Sequence, residues 1–189
     1  MTRKQTRHIP LSGGQDRLRQ MILYVAQKNT TAAAFGRTKL NKILWRADFV
    51  SYADRGVPVT GREYQRLEHG PAPKEMLPLY REMKLAGFID EETTDFGEGV
   101  REFRPIAKRD PDLSKFDVDD LRYVDDSINY YWEKTGRETS DDSHGAAWRS
   151  RHDGDLMPYE SALLDDAKPT PAQISRLKSI IDEQGAISR

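Results

Sequence analysis

Apolar positions recur with helical spacing through most of this chain, and the exceptions are as informative as the rule. In 15–28, Leu18, Met21, Ile22 and Val25 form one stripe with helical spacing. In 37–56 the signal is the strongest in the chain. Leu40, Ile43, Leu44, Ala47 and Val50 make an apolar stripe, while Lys39, Lys42 and Arg46 fall on a second face. Trp45, Asp48 and Tyr52 fall on a third. A helix with apolar or aromatic residues on two sides is usually covered on two sides, so the pattern predicts the central helix of the fold, ending at Gly56. Residues 73–86 read as a helix stopped by Gly87, with Pro78 expected to kink or divide it. The next segment changes period. Phe88 and Ile89, a turn-rich tip from Asp95 to Gly99, then Val100, Phe103 and Pro105, predict a β-hairpin. Asp117 with Asp120 opens a further helix through Leu121, Val124, Ile128 and Tyr131. Thr139 or Ser140 is expected to cap a short helix holding Trp148. Thr170 followed by Pro171 opens a last helix to about Gln184.

These elements predict a mainly α protein with a small antiparallel hairpin, the helix-then-hairpin order resembling a winged-helix unit. The expected organisation is a basic tail over 1–14, one domain over 15–167 and a C-terminal helical extension over 168–189. Lys168-Pro169-Thr170-Pro171 is the linker candidate.

Composition narrows the chemistry. Lys and Arg number 30 against 31 Asp and Glu, a net charge of −1, which provides no global pull toward nucleic acid or membrane. With no cysteine, thiolate nucleophiles, disulfides and cysteine-bound zinc are excluded, and a cytoplasmic setting is expected. No apolar run approaches the roughly 20 residues of a membrane helix. No nucleophile-elbow, phosphate-loop or dinucleotide fingerprint occurs, so no catalytic residue and no cofactor are assigned. His144 and His152 lie among Asp141, Asp142, Asp153 and Asp155. The spacing matches no established metal motif, so a metal-dependent hydrolase ranks third among the readings and no metal ligand is named. A DNA-binding regulator ranks second. Lys39, Lys42 and Arg46, with Arg101, Arg104, Lys108 and Arg109 at the hairpin, could grip phosphates, but the preceding helix mixes Glu75 and Glu82 with Lys74, Arg81 and Lys84. Tyr130-Tyr131-Trp132 cannot all turn inward from one helix, which points to an aromatic contact with another element or a partner.

The stretch from Lys39 to Met76 resembles the core of the SocA-like antitoxin domain, also called the Panacea domain. The resemblance rests on Lys39, Leu40, Lys42, Leu44, Ala47, Asp48, Tyr52, Gly56, Thr60-Gly61, Tyr64 and Gly70-Pro71. Trp45 replaces another aromatic, and His69 stands where Tyr or Trp is common. A weaker second signature includes His144 and Trp148, and "GDLMPYESAL" around Tyr159 follows it. The resemblance implies an antitoxin that neutralises a cognate protein toxin encoded beside it. In one kind of system it hands that toxin to a ClpXP-type protease, and phage-associated members are common. Lys39, Lys42, Trp45, Arg46, Tyr64 and His69 are then the expected partner-binding residues. Leu40, Leu44, Asp48, Tyr52, Gly70, Pro71, His144 and Trp148 are the expected structural ones. The segment 61–76 is expected to be an elbow. Pro71 and Pro73 should keep Gly70 and Ala72 out of helical geometry, Tyr64 should pack on the central helix, and Asp48, if buried, should accept hydrogen bonds from the elbow.

Overall fold

The computed structural model describes residues 9–164 and 168–187. Residues 1–8, with His8, and the expected boundary at 167 lie outside the described residues. The chain runs α1 (Gln15–Lys28), α2 (Arg37–Arg55), β1 (Tyr64–Gln65), β2 (Ala72–Pro73), α3 (Met76–Leu85), β3 (Ile89–Asp95) and β4 (Arg101–Ala107). It continues through α4 (Val118–Tyr131), α5 (Gly136–Asp142), α6 (Ala146–Arg149), β5 (Leu156–Met157), a 3-10 helix (Tyr159–Leu164) and α7 (Pro171–Ile187). The fold is mainly α with small antiparallel sheets. β3 and β4 form the predicted hairpin, in register from Ile89–Ala107 to Asp95–Arg101.

The hydrophobic stripes meet where helical spacing places them. Leu18, Met21, Ile22 and Val25 of α1 pack with Leu40, Ile43, Leu44 and Ala47 of α2. Val124 and Ile128 of α4, Leu79 and Met83 of α3, and Ile89 of β3 complete this core. Each such side chain contributes about 1.5–3 kcal/mol by leaving water. A smaller aromatic cluster on another side of α2 joins Phe49, Tyr52, Tyr64, Met157 and Tyr159. α2 touches α1, α4, α5, α7, β2, β4 and the 3-10 helix, so it is covered on more sides than the two its pattern predicts.

The ends follow local chemistry. α2 stops at Gly56, whose φ of 81° is left-handed and whose N–H donates to the Tyr52 carbonyl. Asp117 and Asp120 form a reciprocal capping box for α4. Thr170 and Gln173 do the same for α7, through Thr170 N–H to Gln173 Oε1 (3.1 Å) and Gln173 N–H to Thr170 Oγ1 (3.2 Å).

Four details differ from the sequence reading. Pro78 is the third residue of α3, where a missing N–H costs nothing, so the helix starts at Met76 and is not divided. Pro73 belongs to β2 instead. The cap of α5 is Thr135, in a box with Glu138; Thr139 and Ser140 are inside the helix, and Trp148 is on the separate α6. A three-stranded sheet, β2-β1-β5, was not anticipated, because strands of two residues are too short to show a period.

One capping residue does more than cap. Asp120 is buried and pairs with Arg17 (2.7 Å) and with Arg55, joining α1, α2 and α4. Asp117→Ala is expected to cost about 1 kcal/mol, as a lost cap. Asp120→Ala is expected to cost about 3–5 kcal/mol, because it strands the buried Arg17 guanidinium. Urea unfolding of both variants measures the ranking, and equal costs would show that the ion pair is not the tie.

Candidate partner-binding site around the central helix

The site is built outward from Asp48, which is fully buried on α2. Its carboxylate accepts hydrogen bonds from the Thr60 N–H (2.5 Å), the Thr60 hydroxyl, the Tyr64 hydroxyl (2.8 Å) and, more distantly, the Tyr159 hydroxyl (3.4 Å). Tyr159 also donates to the Arg62 carbonyl (2.7 Å). The elbow and the 3-10 helix are thereby fastened to one carboxylate. Burial pushes that carboxyl up to about 6, with the donors pulling the other way. Burial and the Asp48 charge raise both the Tyr64 and Tyr159 phenols.

The lysines of α2 anchor neighbouring segments. Lys42 is 2 % exposed and donates to the Pro71 carbonyl (2.9 Å); burial lowers its ammonium to about 7. Lys39 is 1 % exposed and donates to the Trp132 carbonyl (3.2 Å). Burial lowers its pKa too, with Glu102 opposing. The helical face read as a basic stripe therefore has only Arg46 in reach of solvent. Arg46 lies over the Tyr130 ring (4.1 Å) and donates to Ser127 Oγ (3.3 Å).

The elbow is clamped from the far side. Ser140 Oγ donates to the His69 carbonyl (2.9 Å), and the Trp148 indole N–H donates to the Leu67 carbonyl (2.9 Å). Trp148 is stacked against His144 at 3.7 Å between ring centres, and the Arg66 guanidinium lies 3.8 Å from its ring centre. Burial, and then the charge of Lys42, lowers the His144 pKa. Gly70 has φ of 92°, and a Cβ there would come within 2.2 Å of Ser143 Oγ and 2.5 Å of Lys42 Cε. No other residue fits that contact. Pro71 and Ala72 are buried beneath the clamp, while the His69 side chain stays exposed.

Two clefts result. One, of about 430 Å³, is lined by Lys42, His69, Gly70 and Asn41 among others. The other, of about 410 Å³, runs between α2, α4 and α6 and is lined by Trp45, Arg46, Tyr130, Tyr131 and Trp148, with an apolar floor. Of the residues expected to bind a partner, Trp45 and Arg46 sit together in this groove and His69 lies in the first cleft. Lys39, Lys42 and Tyr64 lie beneath the surface. Leu40 and Leu44 are core; the Tyr52 ring packs tilted against Tyr159, 5.4 Å between ring centres. Among the described residues, no three His, Asp or Glu side chains converge to hold a metal, and His152 is nearly fully exposed.

Residues 40–149, more than half of the chain, match the family described as Antitoxin SocA-like, Panacea domain. The chain belongs to that family. Neither the curated proteins nor the solved structures yield a match. The Panacea match covers Asp48, the elbow and the α5–α6 clamp, whereas Tyr159, which completes the Asp48 cluster, lies beyond it.

Several working residues were not visible in the pattern. Thr60 enters the sequence reading only among the residues of the family resemblance, and Ser140 only as an alternative helix cap. Phe49, which contacts Trp45, Tyr64 and Tyr159, falls outside the stripes named for α2. The Tyr130-Tyr131-Trp132 run did give a usable signal: Tyr131 is buried at 0 %, while Tyr130 is 44 % exposed beside the groove.

The Asp48 carboxyl titrates near 6 in the fold and near 3.9 in an unfolded chain, so the folded state holds the extra proton between those values. Its contribution to stability grows as pH falls through 6 and levels off below about 4, by about 3 kcal/mol in total. The Tm gap between the natural protein and Asp48→Asn is therefore expected to widen in favour of the natural protein from pH 8 to pH 5. Parallel pH curves would show that Asp48 does not titrate in that range.

Proposed function

We propose that this protein is an antitoxin that neutralises a cognate protein toxin, encoded beside it, by direct non-covalent binding. In this reading the groove of Trp45, Arg46, Tyr130 and Trp148 is part of the binding surface. The observation that carries the reading is the family match, which spans the residues that build the elbow and most of the groove. Family membership favours binding over catalysis. The groove adds half-buried aromatic side chains and an arginine, the residue types that anchor protein interfaces. His69 flanks the same elbow and is proposed as a rim contact. The buried Lys39, Lys42 and Tyr64 hold that surface in shape from beneath.

The DNA-binding alternative is less well supported because most of its cations at the hairpin are already engaged. At the hairpin, Arg101 pairs with Asp95 (3.1 Å), Arg104 with Glu102 (3.3 Å) and Lys108 with Asp90 (3.8 Å). On α3, Glu82 pairs with Arg19 (2.7 Å) and Lys84 with Glu91 (3.1 Å). Phosphate binding would have to break such pairs or compete with their carboxylates.

Co-expression tests the proposal. The neighbouring gene, induced alone, should stop growth; with this chain, growth should return and the two proteins should copurify. Trp45→Ala and Arg46→Glu should each reduce rescue by at least roughly tenfold, the loss expected for a central interface anchor. Toxin turnover in hosts with and without a ClpXP-type protease separates masking from delivery. A neighbour that is not toxic, or rescue without any complex, would overturn direct neutralisation.

A further inference from the structure

The groove between α2, α4 and α6 is unbalanced in its hydrogen bonding. Its floor is apolar, from Phe49, Val50, Ala53, Ala146, Ala147 and Ala162. Among its lining residues, the Trp45 indole N–H is buried with no hydrogen-bond partner. Tyr131 in the same lining lies beside Asp142; burial, and then that carboxylate's charge, raises its phenol. Arg46 makes one long bond, to Ser127 Oγ (3.3 Å), and among the described residues has no carboxylate in ion-pair range. The Trp45 indole and the Arg46 guanidinium are both donors only. The other polar groups of the wall are occupied. Asp142 accepts from Lys134 and from the Tyr130 hydroxyl, both at 2.9 Å, and the Gln173 amide donates to Asp54 (3.0 Å).

A buried donor without an acceptor costs about 1–3 kcal/mol, which an occupant supplying acceptors would recover. The aromatic rings also restrict what can enter. Trp148 carries His144 and Arg66 on its ring, and Tyr130 carries Arg46 (4.1 Å) and Lys134 (3.9 Å). A nucleic-acid base needs an open ring face to stack on, and these two rings are already occupied. An extended peptide needs only ring edges, an apolar floor and donors for its carbonyls.

From this arrangement we infer that the groove takes an extended acidic segment of a partner protein. An apolar or aromatic side chain sits on the Phe49–Ala53 floor, and an adjacent carboxylate meets Arg46. With a rotation of the Trp45 ring, a carbonyl of the segment accepts from its indole N–H. The inference rests on the toxin-binding reading only for the partner's identity; the chemistry of the groove stands separately from it.

The test uses the full chain labelled with ¹⁵N and three blocked dipeptides, Ac-Phe-Glu-NH2, Ac-Phe-Gln-NH2 and Ac-Phe-Lys-NH2, with an oligothymidylate as the fourth probe. Trp45→Phe assigns the indole signal. The expected result is a saturable shift of the Trp45 indole N–H, with half-saturation by the Glu peptide at a concentration roughly fivefold or more below that of the Lys peptide. The Gln peptide should fall between them. Arg46→Gln should abolish this order while Arg46→Lys keeps it, and well-dispersed spectra would show that both variants fold. Equal responses to all three peptides, no saturable response, or a response to oligothymidylate alone would overturn the inference. Failure here with intact growth rescue removes the groove's peptide chemistry and leaves the toxin reading. Ordered peptide binding with no toxic neighbour does the reverse.

Discussion

A helix surrounded on nearly every side cannot send its polar and charged residues to water, and α2 contains several. Lys39, Lys42, Asp48 and Ser51 are all buried on it. Each is tolerated only because another segment brings a partner: the Trp132 carbonyl, the Pro71 carbonyl, the Thr60 and Tyr64 donors, and the Val57 carbonyl, which accepts from Ser51 Oγ at 2.6 Å. Apolar packing brings α1 and α4 onto this helix. The polar contacts then decide where the irregular segments go, since a shift of the elbow would leave Asp48 or Lys42 unpaired in the interior.

That dependence explains why a loop can carry a well-defined surface. The elbow from Gly61 to Pro73 has only two-residue strands of its own. It is held instead by Asp48 and Lys42 from one side and by Ser140 and Trp148 from the other. Gly70 lets its backbone pass against Lys42 and Ser143. Two stretches of the family match that are distant in sequence are thus two sides of one clamp. The same clamp places Trp148 at the edge of the groove that holds Trp45 and Arg46.

Charge tells the two open faces of the molecule apart. At the hairpin and α3, most of the cations examined as phosphate contacts already pair with carboxylates of this chain. In the groove, Arg46 has no such partner among the described residues. A near-neutral composition conceals that difference, because net charge counts paired and unpaired groups alike.

Helical periodicity in the sequence was enough to determine α1, α2 and α4, a change of period around a turn-rich tip marked the hairpin, and the pairs Asp117/Asp120 and Thr170-Pro171 marked the starts of α4 and α7. These features are local, set by residues three or four apart or by neighbours in the chain. The sequence also pointed to Asp48 as an acceptor for the elbow, since a carboxylate on a helix covered on two sides needs donors. Tertiary structure alone decided that Lys39 and Lys42 are anchors and not a basic surface. A lysine at a given helical position looks the same in sequence whether its neighbour is water or the carbonyl of Pro71, 29 residues away. The β2-β1-β5 sheet, the roles of Thr60 and Ser140, and the groove with its unpaired donors likewise arise from contacts between distant segments, and such contacts leave no period in the chain.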